Sequence, residues 1–336
     1  MADAPKYLLL GQLRREYIIT AEGKVRIDQP GGNLLYAVTG LALWKERAGM
    51  IARVGEDYPR VWLDKITEMG FDVSGVRILP EAHDLRAFIA YSDLHTRHTD
   101  DPVGHFARLE KEFPKSLLGY KDNSERIDDM NKLAPLSLRQ TDVPDDYKYA
   151  SAAHLCPLDY MAHSLMPAVL RQSGLTTITM DPSPGYMNSS FFYEVPALLT
   201  GLTAFLPSED DVRSLYQGRS DDLWEMAEAL AAYDCDIIVI KRGVKGQYLY
   251  DAVSKIRYDI PAYPSRKADA TGAGDAFSGG FLVGYRRTYD PLQAVLHGNV
   301  SASLAIEGSG PFYALESLPG LAEARLETLP ELVRKV

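Results

Sequence analysis

The residues best suited to chemistry form one string near the C-terminal end, Asp269-Ala270-Thr271-Gly272-Ala273-Gly274-Asp275-Ala276-Phe277-Ser278-Gly279-Gly280-Phe281. Small residues let the backbone turn tightly and approach a ligand. The apolar spacing from Phe277 through Phe281 to Tyr285 marks a helix starting near Asp275. The amides of Ala273, Gly274 and Asp275 would then point out of a helix N-terminus, where both hydrogen bonding and the helix dipole favour anionic oxygens. An acid at that terminus can accept the proton of a hydroxyl attacking a cradled phosphorus. The amides meanwhile stabilise charge on the transferring group. Asp275 also reads as an ordinary helix cap, and the glycines as parts of a tight loop. The whole string is more specific than either. It is not a Walker loop, because no Gly-Lys-Ser/Thr follows, nor a dinucleotide fingerprint, because Phe277 stands at the third glycine position. Gly279, Gly280 and Gly284 inside the helix cost roughly 1 kcal/mol each relative to alanine, so a nucleotide or a neighbouring helix packs closely there.

Other polar clusters are weaker. His154, Cys156, Asp159 and His163 match no closed zinc spacing, and a strand followed by a helix explains them; His154 at the strand end is a candidate for reaching a substrate pocket. His95, His98, Asp100 and Asp101 read as solvated turn residues. Asp181-Pro182-Ser183-Pro184-Gly185 follows a buried strand, so Asp181 either positions magnesium or phosphate or belongs to a proline-shaped turn. Lys241, directly after four buried aliphatics and before Arg242, faces phosphates or caps a solvated strand end.

These residues need a scaffold, and the apolar runs supply one. Tyr7 to Leu10, Thr176 to Met180 and Ile237 to Ile240 end in Gly, Asp or Lys, with helical patterns between them such as 223–232 and 292–306. That alternation predicts an α/β fold with a doubly wound, mostly parallel sheet. Two regions break the rhythm. Residues 17–28 read as a hairpin around Ala-Glu-Gly, and Ala87 to Tyr91 with Val103 to Ala107 read as a second strand pair. Isolated hairpins are marginal in water, so the two (17–30 and 85–108) are expected to pair into a small β-sheet lid on a single domain spanning 1–336. Residues 109–147, rich in charge and proline, are expected to form an irregular surface excursion on the lid side.

The net charge of -10 argues against a general affinity for nucleic acid or anionic membrane. The two cysteines, Cys156 and Cys235, belong to no C-x-x-C pair. No apolar run suits a signal peptide or a membrane span, and the expected location is the cytoplasm. A lid that is a bare sheet on one face needs cover, which predicts a homodimer through the lids.

The string from Asp269 to Gly280 is similar to the C-terminal signature of the PfkB/ribokinase family of sugar and nucleoside kinases. Gly31-Gly32-Asn33 with Ala37 and Leu41-Ala42 resembles that family's substrate-side loop and helix, and Val54 to Asp57 and Gly70 to Val73 resemble two further landmarks. The resemblance implies a ribokinase-like fold whose β lid is formed by the two hairpins. It also implies ATP and Mg2+ as cofactors, with K+ in some members. By position, Asp275 is the base, and Gly272, Ala273 and Gly274 form the anion hole. Glu16, Gly32, Asn33 and Arg86 fall on the substrate side. Ser208, Lys241, Gly243, Gly246 and Thr271, with Gly272 and Gly274, fall on the nucleotide side. Asp211 corresponds to the magnesium-associated carboxylate, and Asp269 and Thr271 with carbonyls near Ala305 and Gly310 to a monovalent-cation site. The chain departs from the family where Ser208-Glu209-Asp210-Asp211 replaces Asn-x-x-Glu, Glu16 replaces an aspartate and Tyr36 replaces a frequent asparagine. The implied activity is phosphorylation of a sugar, polyol or inositol-like alcohol. A nucleoside kinase with Phe88 and Tyr91 stacking on a base, and a non-catalytic binding protein of the same fold, are the alternatives.

Overall fold

The computed structural model describes residues 4–94, 96–122 and 127–336; His95 and part of the 109–147 excursion lie outside these. The described residues build a ten-stranded sheet. From one edge to the other its strands are Asp72–Ile78, Ala48–Val54, Tyr7–Leu10, Ala152–Leu155, Thr177–Met180, Leu202–Phe205, Cys235–Lys241, Gln247–Asp251, Ile256–Ile260 and Arg334–Lys335. The first seven run parallel and the last three antiparallel.

The alternation of side chains along a strand sets the two layers. Leu9 packs into one core with the helices Asn33–Ala42, Ala273–Thr288 and Pro291–Ala305, while Leu8 and Leu10 pack into a second core with Tyr160–Gln172 and Leu223–Ala231. The expected doubly wound, mostly parallel sheet is therefore present, with helices on both faces. The site helix, Ala273–Thr288, is central to the first layer. A Cβ on Gly279 would lie 1.9 Å from the Ala37 carbonyl oxygen, and one on Gly280 would lie 2.3 Å from Ser301 Oγ. Neighbouring helices, not a nucleotide, account for these glycines.

A separate four-stranded sheet forms the lid, in the order Val25–Gly31, Arg14–Ile19, Arg86–Tyr91, Arg97–His98. The first hairpin is as expected, though its leading strand begins earlier, at Arg14. The second is not. Residues Pro102–Arg108 form a helix, and the fourth strand is the short Arg97–His98 at the polar tip. Asp101 caps that helix by accepting from the Gly104 amide at 3.0 Å, and Pro102 occupies its first turn. Phe106 is then buried against Phe88 and Phe113 in a lid core with Tyr17, Ile19 and Leu117. The lid face expected to be bare is thus covered by the chain's own helix and by part of the excursion, which removes the argument for a dimer through the lids.

The excursion is irregular, with short helical turns at Lys115–Leu117, Gln140–Asp142 and Asp145–Tyr149, but it is not confined to the lid side. Its second half anchors to the main sheet. Arg53 donates to both oxygens of buried Asp142 at 2.7 and 2.9 Å, and Tyr147 donates to the Asp72 carbonyl at 3.2 Å.

Candidate active site

Two cavities meet at the start of the site helix. The first, about 510 Å³, lies under the lid and is lined by Glu16, Gly32, Asn33, Arg86, Tyr91, Asp181, Asp211 and Asp275, among others. The second, about 440 Å³, is lined by Gly243, Val244, Tyr263, Pro264, Phe277, Asn299 and Ile306, among others, and by no lid strand. Lys241, Ala270, Ala273 and Gly274 line both. The four residues at the junction are thus those that can touch a group passing from one cavity to the other.

Local conformation explains the junction. Gly272 has φ 75°, a left-handed geometry that glycine adopts without a Cβ penalty, and it breaks the chain into the helix. A side chain there would also collide with the Tyr36 ring, which lies 2.0 Å from where a Cβ would stand. The Ala273 amide is already bonded to the Ala270 carbonyl at 3.2 Å, which corrects the expectation that it is open. Among the described residues the amides of Gly272, Gly274 and Asp275 have no protein acceptor.

The carboxylates here are unusually hard to ionise. Burial, then the neighbouring Asp181, pushes Asp275 up to about 7, and its carboxylate accepts no hydrogen bond among the described residues. Asp181 is pushed up to about 6 by burial, against the opposing effect of Lys241, which donates to it together with Ser278 Oγ at 3.2 Å. Asp181 lines the lid cavity, and the Pro182 to Gly185 segment after it forms a turn closed by the Tyr186 amide on the Ser183 carbonyl. Glu16 is pushed up to about 7 by burial, although the Gly32 amide at 2.7 Å and the Tyr36 hydroxyl at 2.9 Å both donate to it. The departures at positions 16 and 36 are therefore physically coupled, because Tyr36 is the donor that the longer glutamate reaches.

Other expected residues have structural duties. Asn33 lines the first cavity, but its side chain accepts from the Gln12 amide and donates to the Pro157 carbonyl. Arg86 lines it too, held by Asp84 and by the Ser116 and Leu118 carbonyls. Ser208 lines neither cavity; it caps the helix Glu209–Leu215 in a box with Asp211, which does face the first cavity. Gly243 lines the second cavity, whereas Gly246 lines neither and its φ of 86° serves a turn against the Ile260 carbonyl. Thr271 faces the lid cavity, bonded to Tyr91 at 3.1 Å. His154 is fully buried against Thr179 and lines neither cavity, and His163 is a core residue bonded to Tyr186 and to the Cys156 carbonyl. No cluster of three or more His, Cys, Asp or Glu among the described residues can hold a metal by itself.

The loop expected to hold a monovalent cation already carries partners from the chain itself. Both oxygens of Asp269 accept from within the chain, from the Thr271 amide and Ser309 Oγ. The guanidinium of Arg26, a permanent cation, lies against Gly310, with Nη2 2.6 Å from where a Cβ would stand. Turnover is expected to be the same, within about twofold, when K+ is exchanged for Na+ at constant ionic strength, because a side-chain cation already supplies the charge at that loop.

Comparison with known proteins places this geometry in a family. The pattern of the pfkB family carbohydrate kinases matches residues 146–318, about half of the chain. The chain belongs to this family. As a pfkB kinase it is an enzyme that takes its phosphoryl group from ATP. It is 25% identical over 282 residues to a cytidine kinase of Thermococcus kodakarensis, covering 83% of this chain and 88% of the relative. It is 29% identical over 133 residues to a 5-dehydro-2-deoxygluconokinase of Lacticaseibacillus casei, covering 40% of each. Among solved structures, a fructokinase double mutant of Vibrio cholerae bound to fructose, ADP and potassium superposes with a TM-score of 0.69 at 18% identity, covering 97% of this chain and 100% of that one. A Burkholderia thailandensis nucleoside kinase bound to inosine gives 0.65 at 19% identity, covering 96% and 98%. These likenesses establish the ribokinase-like fold of this pfkB kinase. Sequence reasoning missed Arg14, Arg97 and Lys121, which also line the lid cavity; Arg14 and Glu16 alternate on one strand face, a signal the sequence does carry.

Proposed function

We propose that the protein transfers the γ-phosphoryl group of ATP to a hydroxyl of a sugar-, polyol- or inositol-like acceptor. The observation that carries this reading is the junction of the two cavities at Lys241, Ala270, Ala273 and Gly274, with Asp275 facing the lid cavity alone. The apolar cavity suits an adenine ring, and the polar one a hydroxylated acceptor. In this reading the acceptor hydroxyl lies beside Asp275, which takes its proton as the oxygen attacks phosphorus. The open amides of Gly272, Gly274 and Asp275, with Lys241 Nζ, receive the charge that develops on the transferring group. The lid keeps water from competing with the acceptor.

Magnesium fits this wall. Mg2+ usually binds through one or two carboxylates, waters and phosphates, and Asp211 and Asp181, both in the cavity lining, would supply that donor set without an all-protein cage. When bound it supplies charge neutralisation on the phosphates. The test is ADP release from ATP and Mg2+ against a panel of hexoses, polyols, inositols, nucleosides and acidic sugars. Acceptor-dependent release that disappears in Asp275→Asn supports the reading; no release with any acceptor rejects it.

A nucleoside acceptor is the second reading, favoured by the cytidine kinase relative that aligns with 83% of the chain. Its stacking arrangement needs revision. Phe88 is buried in the lid core although it borders the cavity, and the hydroxyl-bearing rings of the cavity wall are Tyr91, Tyr120 and Tyr36, the last committed to Glu16.

A further inference from the structure

We propose that the acceptor carries an oxyanion, a carboxylate or a phosphate, remote from the hydroxyl that is phosphorylated, and that Arg14 receives it. This rests on the kinase reading above and narrows its acceptor class.

Four cations line the lid end of the acceptor cavity: Arg14, Arg86, Arg97 and Lys121. Arg86 is committed. It donates to both oxygens of Asp84, each at 2.7 Å, and to two backbone carbonyls. At the opposite end Lys241 is committed to Asp181. Arg14, Arg97 and Lys121 make no ion pair among the described residues.

Arg14 is the one whose situation calls for a ligand. Its Nε and Nη2 both donate to a single neutral oxygen, Oε1 of Gln12, at 3.1 and 2.5 Å. Its Nη1 has no acceptor among the described residues and is not sealed in the interior. The acids whose charge it feels are otherwise engaged: Asp84 by Arg86, and Glu16 by the Gly32 amide and the Tyr36 hydroxyl. Burial lowers its hold on the proton, the direction expected of a guanidinium withdrawn from water without a full counter-charge. Such a group is costly to keep unless something anionic arrives, and its planar fork matches carboxylate or phosphate with two parallel hydrogen bonds.

Polarity along the cavity fixes the orientation. Asp275, Asp181 and Asp211 stand with Lys241 at the site-helix end, while Arg14, Arg97 and Lys121, without an ion pair among the described residues, stand at the lid end beside Glu16, Asp84 and Asp122. The cradle at the site-helix end is taken by the transferring phosphoryl group, so a second oxyanion, on the acceptor itself, is left the lid end, where Arg14 has no counter-charge of its own, and the hydroxyl end of the molecule lies beside Asp275. A neutral hexose would fill the cavity and leave Arg14 as poorly partnered as before.

The test compares matched acceptors by ADP release: gluconate against glucose, and fructose 6-phosphate against fructose. The anionic member of a pair is expected to have the higher kcat/KM, and the anion-to-neutral ratio to fall by about 30-fold in Arg14→Gln. Whether the preference is for gluconate or fructose 6-phosphate assigns the oxyanion. Arg97→Gln, at an exposed position, guards against a folding defect at Arg14 and is expected to lower the same ratio by about threefold. Preference for the neutral members, with a ratio unchanged in both variants, overturns the proposal while leaving the kinase reading intact. Should none of these four be turned over, the kinase reading is judged separately on the wider acceptor panel. Calorimetric titration with gluconate and with inorganic phosphate then decides the anion site: binding that is lost in Arg14→Gln supports it, and no binding, or binding unaltered by the substitution, overturns it.

Discussion

Asp275→Asn is expected to lower kcat by about 10³-fold while raising the melting temperature at pH 8. The loss follows from geometry, because general-base catalysis is worth roughly 10²–10⁴-fold and the amide cannot accept the proton. The gain in stability follows from linkage. Burial and Asp181 raise the native carboxyl to about 7, whereas an unfolded aspartate titrates near 4. Between those values the folded chain holds a proton that the unfolded chain has released, so this group's contribution falls as pH rises from about 4 to 7 and stays low above. An asparagine removes the penalty, worth roughly 1–2 kcal/mol once the solvent reaching a half-buried group is allowed for. In a chain of this size that is a few degrees, visible by calorimetry at pH 8 and absent at pH 4. The same carboxyl governs activity in the opposite sense. Wild-type kcat/KM is expected to rise about tenfold from pH 6 to pH 8 with a midpoint near 7, since only the ionised form can act as base. A flat profile over that range would remove Asp275 from the role.

Lys241→Met is expected to cost about 10²-fold in kcat and, unlike the first substitution, to destabilise the fold. Lys241 lines both cavities, pairs with Asp181 and lies 3.4 Å from the Cβ position of Gly274. Methionine keeps the unbranched stem and removes the ammonium, so a developing negative charge on the transferring group loses a charged donor. Asp181 loses its opposing partner at the same time, and a buried carboxylate left alone costs about 3–5 kcal/mol when held ionised. Burial already raises Asp181 to about 6, and without the lysine it rises further, so it protonates at neutral pH instead of bearing that cost in full. Thermal unfolding at pH 5 and at pH 8 separates the two effects. Destabilisation is expected to be small at pH 5, where Asp181 is largely protonated in either protein, and larger at pH 8. Equal destabilisation at both values would mean that Lys241 acts through packing instead.

How much of the fold and site is legible in the sequence depends on the range of each contact. The string 269–281 is contiguous, so its loop, its helix and its acid can be read locally, as can the parallel strands whose aliphatic runs are buried on both faces. The coupling of Tyr36 to Glu16 and to Gly272 is not local; it joins a helix, a lid strand and the anion-hole turn across the fold. The helix Pro102–Arg108 passes for a strand because five residues cannot separate a period of 2 from one of 3.6, although Asp101-Pro102 is a helix-start signal. Ser208 and Asp211 carry the spacing of a capping box, and that local role is the one realised by Ser208. Arg14 does not stand out in the sequence because its lack of a counter-charge is a property of the folded neighbourhood, not of the residues beside it in the chain.

The bond from Tyr91 to Thr271 ties the lid to the turn that opens the site helix, while no lid strand borders the apolar cavity. Any displacement of that lid strand is therefore felt at the turn that sets the open amides, while the walls of the apolar chamber are left as they are.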